Sequence, residues 1–202
     1  MNEIDLLKGR LDDNFVNDLR ENIGAESNDQ VETAASGIIS ALMAGLAKNT
    51  ERPDGVNSLL SALDRDHDGS ILDDAANLLF GKKQPKNPKT TDGRGILEHI
   101  FGNKESQVTD VVGRSSGLDK SKILRLMITL APMILGALGR AKRNRGMDGN
   151  GIGDLLRGTV QRQRAQTQEM SLLSRLLDSD GDGNIMEEIA DLGSNVFLSN
   201  RK

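Results

Sequence analysis

The chain has 202 residues, with 26 Lys and Arg against 30 Asp and Glu and a formal net charge of −4. That balance excludes the strongly basic class of nucleic-acid binders, and the absence of cysteine excludes disulfides and thiolate metal sites. The apolar fraction is 36%, with four Phe and neither Trp nor Tyr, so Leu, Ile, Ala, Met and Gly must build the core, which suits an all-α fold of close-packed helices.

Ile4, Leu7, Leu11, Phe15, Val16 and Leu19 recur near helical spacing, which predicts one or two amphipathic helices over residues 3–22. A turn over 24–28 offers Ser27 or Asn28 as the N-cap of a helix reaching about Lys48. On it Gly37, Ala41 and Gly45 form a smooth stripe, read as packing within the chain ahead of a dimer seam. Residues 49–55, with Pro53, read as a loop, and 56–63 as a helix.

Next comes a stretch with Asp64, Asp66 and Asp68 at positions 1, 3 and 5, Gly69 at 6, Ser70 at 7 and Ile71 at 8. This is the first half of an EF-hand calcium loop: a hard cation seeks oxygens, a tight loop aims alternate side chains at one point, and glycine allows the sharp turn. Position 12, where a bidentate Glu belongs, is Ala75. Asp74 comes one residue early and is read as closing a shortened loop, while Asp73 in Ser70-Ile71-Leu72-Asp73 reads as a helix cap. An outgoing helix is expected over 71–80.

Residues 81–95 read as a basic linker, with Lys82, Lys83, Lys86, Lys89 and Arg94. Short helices follow at 96–101 and 105–115, and Asp119 is the expected N-cap of a long apolar helix. Its most apolar run, 123–138, contains Arg125 and is 16 residues long, short of the roughly 20 needed to span a membrane, so it reads as a core helix. Pro132 should kink or divide it, and Arg140, Lys142, Arg143 and Arg145 suit its negative end. Residues 146–153 read as a glycine-rich loop, with Asp148, Asn150 and Asp154 poorly spaced for an ion, and 154–177 as helix.

The acidic loop then recurs: Asp178, Asp180 and Asp182 at positions 1, 3 and 5, Gly183, Asn184, Ile185 at 8, and Glu188 again one residue early, before a last helix to about Phe197. The expected ligands of two calcium ions are therefore Asp64, Asp66, Asp68, Ser70 and Asp74, and Asp178, Asp180, Asp182, Asn184 and Glu188. Magnesium fits less well, because it uses only one or two carboxylates and keeps its waters. The alternative is an Asp/Gly-rich turn that holds no ion.

The chain also reads as an internal duplication. Val16-Asn17-Asp18-Leu19 pairs with Val108-Thr109-Asp110-Val111, and Gly45-Leu46-Ala47-Lys48 with Ala137-Leu138-Gly139-Arg140, both at a spacing of 92. The expected domains are a first helical repeat over 1–80 with metal loop 64–74, the basic linker 81–95, and a second repeat over 96–202 with metal loop 178–188. Each half ends in an EF-hand-like helix–loop–helix, and Ile71 and Ile185 are candidates to pair the loops.

Residues 58–74, 95–102, 116–119 and 130–139 together resemble a bacterial domain-of-unknown-function family that includes the YidB-like proteins. The resemblance implies an all-helical bacterial protein and supplies no activity. His67, at loop position 4, should point away from an ion, and His99 reads as a packed or surface histidine; no nucleophile–base pair or phosphate loop accompanies them. The expectation is a non-enzymatic, calcium-binding protein whose ions stabilise the fold and brace the halves. The alternatives are a self-assembling or partner-binding scaffold with the loops only as helix caps, and a calcium sensor exposing an apolar surface. An unknown protein partner or a homo-oligomer fits, nucleic acid and a membrane span do not. The N-terminus lacks the basic region and apolar run of a signal peptide, so a cytoplasmic location is expected.

Overall fold

The structure is a computed structural model that describes residues 13–73, 75, 77 and 87–164. The expectations placed on residues 1–12, on Asp74, on 78–86 and on 165–202, including the second acidic loop, lie outside the described residues.

The described chain is all-helical and contains no strand. In order it forms α1 (Asp13–Ile23), α2 (Asn28–Asn49), α3 (Pro53–Arg65), a 3-10 turn (Ser70–Asp73), a second 3-10 turn (Pro88–Thr91), α4 (Gly93–Phe101), α5 (Glu105–Ser116), α6 (Lys120–Arg145) and α7 (Gly149–Arg164). The long helices α2 and α6 pack on each other at the centre. Around them, α1, α4, α5 and α7 lie against α2, and α1, α3, α4 and α5 against α6.

Both long helices are buried nearly all round: Val31, Ala34, Ala35, Ile38, Ile39, Leu42 and Met43 in α2, and Ile123, Leu126, Met127, Leu130, Met133 and Ile134 in α6, face the core. A helix surrounded by others needs no polar face. By length and composition each could also cross a membrane, with mean hydropathy 1.2 for α2 and 1.6 for α6; here most of that apolar surface is covered by neighbouring helices.

The caps are those the sequence offers. Ser27 accepts from the Gln30 amide at 3.3 Å to open α2, and Asp119 from the Lys122 amide at 3.0 Å to open α6. The small-residue stripe of α2 packs within the chain: a Cβ on Gly37 would meet Val112 of α5 at 3.3 Å, and one on Gly45 would come within 2.5 Å of Ile100 of α4.

Several details differ from the sequence reading. Helix α3 starts at Pro53 rather than 56, because proline's fixed φ and missing N–H suit the first helical position. Helix α7 starts at Gly149, inside the expected glycine-rich loop, because Asp148 caps it by accepting from the Gly151 amide at 2.9 Å. Helix α6 runs unbroken through Pro132, so the proline does not divide it. The end of the stretch read as a linker is also folded. Pro88–Thr91 forms its turn with Asn87 as N-cap, and α4 begins at Gly93 with Asp92 as N-cap, accepting from the Gly95 amide at 3.0 Å.

Candidate functional site

Helix α3 delivers the first acidic loop, whose backbone leaves the helix with the Asp66 and His67 amides both donating to the Ala62 carbonyl. Gly69 turns the chain at φ +90°, a conformation that L side chains rarely adopt. The Asp68 carboxylate accepts from the Ser70 amide at 2.9 Å and tightens that turn. Ile71, fully buried, then packs on α6 at Gly136.

The loop carboxylates point outward to the basic end of α6. Lys142 Nζ donates to Asp64 at 2.5 Å, Arg143 Nη1 to Asp68 at 3.3 Å and Arg140 Nη2 to Asp73 at 2.6 Å. The same Arg140 nitrogen donates to the Gly69 carbonyl at 2.7 Å. Asp73, expected as a helix cap, is thus ion-paired across the loop. Asp66 turns the other way and accepts from Asn87 Nδ2 at 2.9 Å, while its carbonyl accepts from Thr90 Oγ1 at 3.0 Å. Hydrogen bonds from the Ser70 hydroxyl and amide, helped by Arg143, hold the Asp68 carboxyl below its ordinary pKa.

Of the expected ligands of the first ion, the structure therefore brings Asp64, Asp66, Asp68 and Ser70 onto one loop, with the carboxylates shared among basic and amide partners. Among the described residues, no three His, Asp or Glu side chains are gathered as they would be around a metal ion. The donor set is nonetheless all oxygen on a loop with the turn that a hard cation requires. The partners Asn87, Thr90, Arg140, Lys142 and Arg143 were not expected at the loop. For the three cations opposite charge was the one available signal, and separations of 67 to 78 residues hid it.

Beside the loop lies a cavity of about 350 Å³. Leu46, Leu59, Ile96, Ile100 and Leu135 give it an apolar floor, and Asp66, His67, Lys89, Asp92 and His99 a polar rim. His67 is only 4% exposed, and its Nδ1 has no hydrogen-bond partner. Burial pushes its pKa below the ordinary value, against the opposing pull of Asp66, Asp92 and Asp68. His99 is exposed. The two histidines, 32 residues apart in sequence, thus share one cavity without forming a pair with a nucleophile.

Neither a curated protein nor a solved structure matches this chain. The model of the family described as bacterial protein of unknown function, DUF937, matches residues 5–141, which takes in the first acidic loop and most of α6, and the chain belongs to that family.

Proposed function

We propose that this protein is a non-enzymatic, calcium-binding helical protein of the bacterial cytoplasm, built as a duplicated repeat and belonging to a family that includes the YidB-like proteins. Calcium would be held by Asp64, Asp66, Asp68, Ser70 and Asp74 in the first loop and by Asp178, Asp180, Asp182, Asn184 and Glu188 in the second, with magnesium a poorer fit. The observation that carries the reading is the alternation of Asp64, Asp66 and Asp68 up to Gly69 in a loop seated on the central helix, in a chain that repeats the spacing at 178–188. An ion there would hold the turn closed at the end of α3. The duplication draws support from the starts of the two long helices: α2 and α6 begin at Asn28 and Lys120, at the same spacing of 92 seen in the sequence.

Thermal unfolding by far-UV circular dichroism tests this, with calcium, with magnesium and with chelator. At a hundredfold excess over Kd, calcium should raise Tm by about 5–10 °C for each site filled, and magnesium should raise it by less. No shift with either ion would reduce the loops to acidic turns.

One observation favours a second reading, a partner-binding or self-assembling scaffold in which the loop is only a structural cap. Asp64, Asp68 and Asp73 each already have a cationic partner on α6. A concentration-dependent mass that ignores chelator would support it.

A further inference from the structure

We propose that the basic end of α6 is a calcium-gated binding site for acidic polypeptide. The proposal rests on the calcium reading above. Asp64 and Asp68 occupy loop positions 1 and 5, which an ion needs, and both are held by α6: Asp64 by Lys142 at 2.5 Å and Asp68 by Arg143 at 3.3 Å. A carboxylate turned inward to an ion leaves such a partner. Exposed ion pairs are weak: in the Arg143–Asp68 pair the side chains are 52% and 45% exposed, and in the Lys142–Asp64 pair the carboxylate is 55% exposed although Lys142 is only 18% exposed. Calcium therefore takes both carboxylates and frees Lys142 and Arg143 beside Arg140, on the last turns of one helix.

The kind of partner is written in what this surface holds now. Without an ion it grips a polypeptide with carboxylates a few residues apart. Arg140 makes the most specific contact, donating through one nitrogen to a main-chain carbonyl at 2.7 Å and to a carboxylate at 2.6 Å. A nucleic acid offers phosphates but no peptide carbonyl beside them. The loop is thus an intramolecular stand-in for an acidic segment of another protein, and calcium withdraws its Asp64 and Asp68 carboxylates while Arg140 stays in place on Gly69 and Asp73.

The test uses the full chain and fluorescein-labelled hexaglutamate, read by anisotropy at low salt with calcium, with magnesium and with chelator, while calorimetry follows calcium binding in parallel. Calcium should tighten peptide binding about tenfold, within the ordinary range of coupling between sites. Lys142→Gln/Arg143→Gln should abolish the gain while still binding calcium. Asp64→Asn/Asp68→Asn, which frees the same cations without an ion, should bind the peptide in chelator as tightly as the loaded natural chain. Calcium bound by calorimetry with unchanged peptide affinity would overturn the gating and leave the calcium reading standing. No calcium bound would sink that reading and the gating with it. A gain retained in Lys142→Gln/Arg143→Gln would mean calcium bridging to the peptide, and equal competition by an oligonucleotide of matched charge would mean a generic anion patch; either result overturns the proposal.

Discussion

Gly93, the first residue of α4, lies with its backbone directly against the carbonyl of Ile128 in α6. Ile128 is four residues before Pro132, so its carbonyl is the one that proline leaves without a helical donor. The proline thus opens an acceptor in the middle of a core helix, and a residue without a side chain allows α4 to approach it closely enough for a Cα–H···O contact. A Cβ at position 93 would overlap that carbonyl oxygen. Gly93→Ala should cost about 1–3 kcal/mol in urea unfolding followed by circular dichroism. An unchanged midpoint would mean that α4 does not dock where the structure puts it.

A second close approach fixes the acidic loop. Gly139 of α6 meets the His67 main-chain carbonyl so closely that a Cβ there would overlap the oxygen, and a Cβ on Gly136 would come within 2.5 Å of Ile71 Cγ2. Backbone cannot step aside as a flexible side chain can, so Gly139→Ala should lift the loop off the helix. Stability should fall by about 1–3 kcal/mol, and the first calcium site should weaken with it. A variant that unfolds and binds calcium like the natural chain would show that the seating of the loop is irrelevant to both.

The two long helices begin at matching caps, Ser27 and Asp119. The Asp119 bond is the shorter, 3.0 Å against 3.3 Å, its acceptor is a carboxylate, and the Ser121 hydroxyl at 2.6 Å helps to hold that carboxylate in place. Replacing either by Ala should cost about 1 kcal/mol, with Asp119→Ala the more damaging. Equal midpoints for the two variants would refute that ranking.

The helices were legible because burial writes itself into spacing. Phe15, Val16 and Leu19 of α1 recur at the period of one covered face, and Asp119 followed by an apolar run marks the start of α6. Composition misled at glycine and proline. Gly149 and Pro53 read as loop, yet one packs against Val56 behind the Asp148 cap and the other opens α3. The acidic loop was legible as a pattern, since Gly69 and the alternating carboxylates are local. Its neighbours were not. Arg140, Lys142 and Arg143 looked like the usual cations at a helix C-terminus, and only the fold of α3 against α6 makes them the partners of Asp73, Asp64 and Asp68. His67 was expected to point away from an ion, and nothing in its position revealed that it would be buried at the rim of a cavity.

That burial gives a pH dependence with a definite sign. Desolvation lowers the folded-state pKa of His67 below the unfolded value of about 6.5, so between the two values the unfolded chain binds the proton that the folded chain excludes. The neutral imidazole's contribution to stability is therefore complete above pH 6.5 and is lost as pH falls through that value towards the folded pKa. Carboxylates act lower down. Asp68 and Asp119 have folded pKa values held below their ordinary range, so their contribution persists above pH 4 and is lost only as pH falls through the folded values. Urea midpoints in chelator should thus decline from pH 7.5 to 5.5, above the range in which Asp68 and Asp119 lose their charge. In His67→Gln, which keeps a polar side chain but cannot titrate, the decline should vanish. A slope unchanged by that substitution would place the titrating group elsewhere, and a midpoint that rises on acidification would mean that the fold raises the imidazole's pKa instead of lowering it.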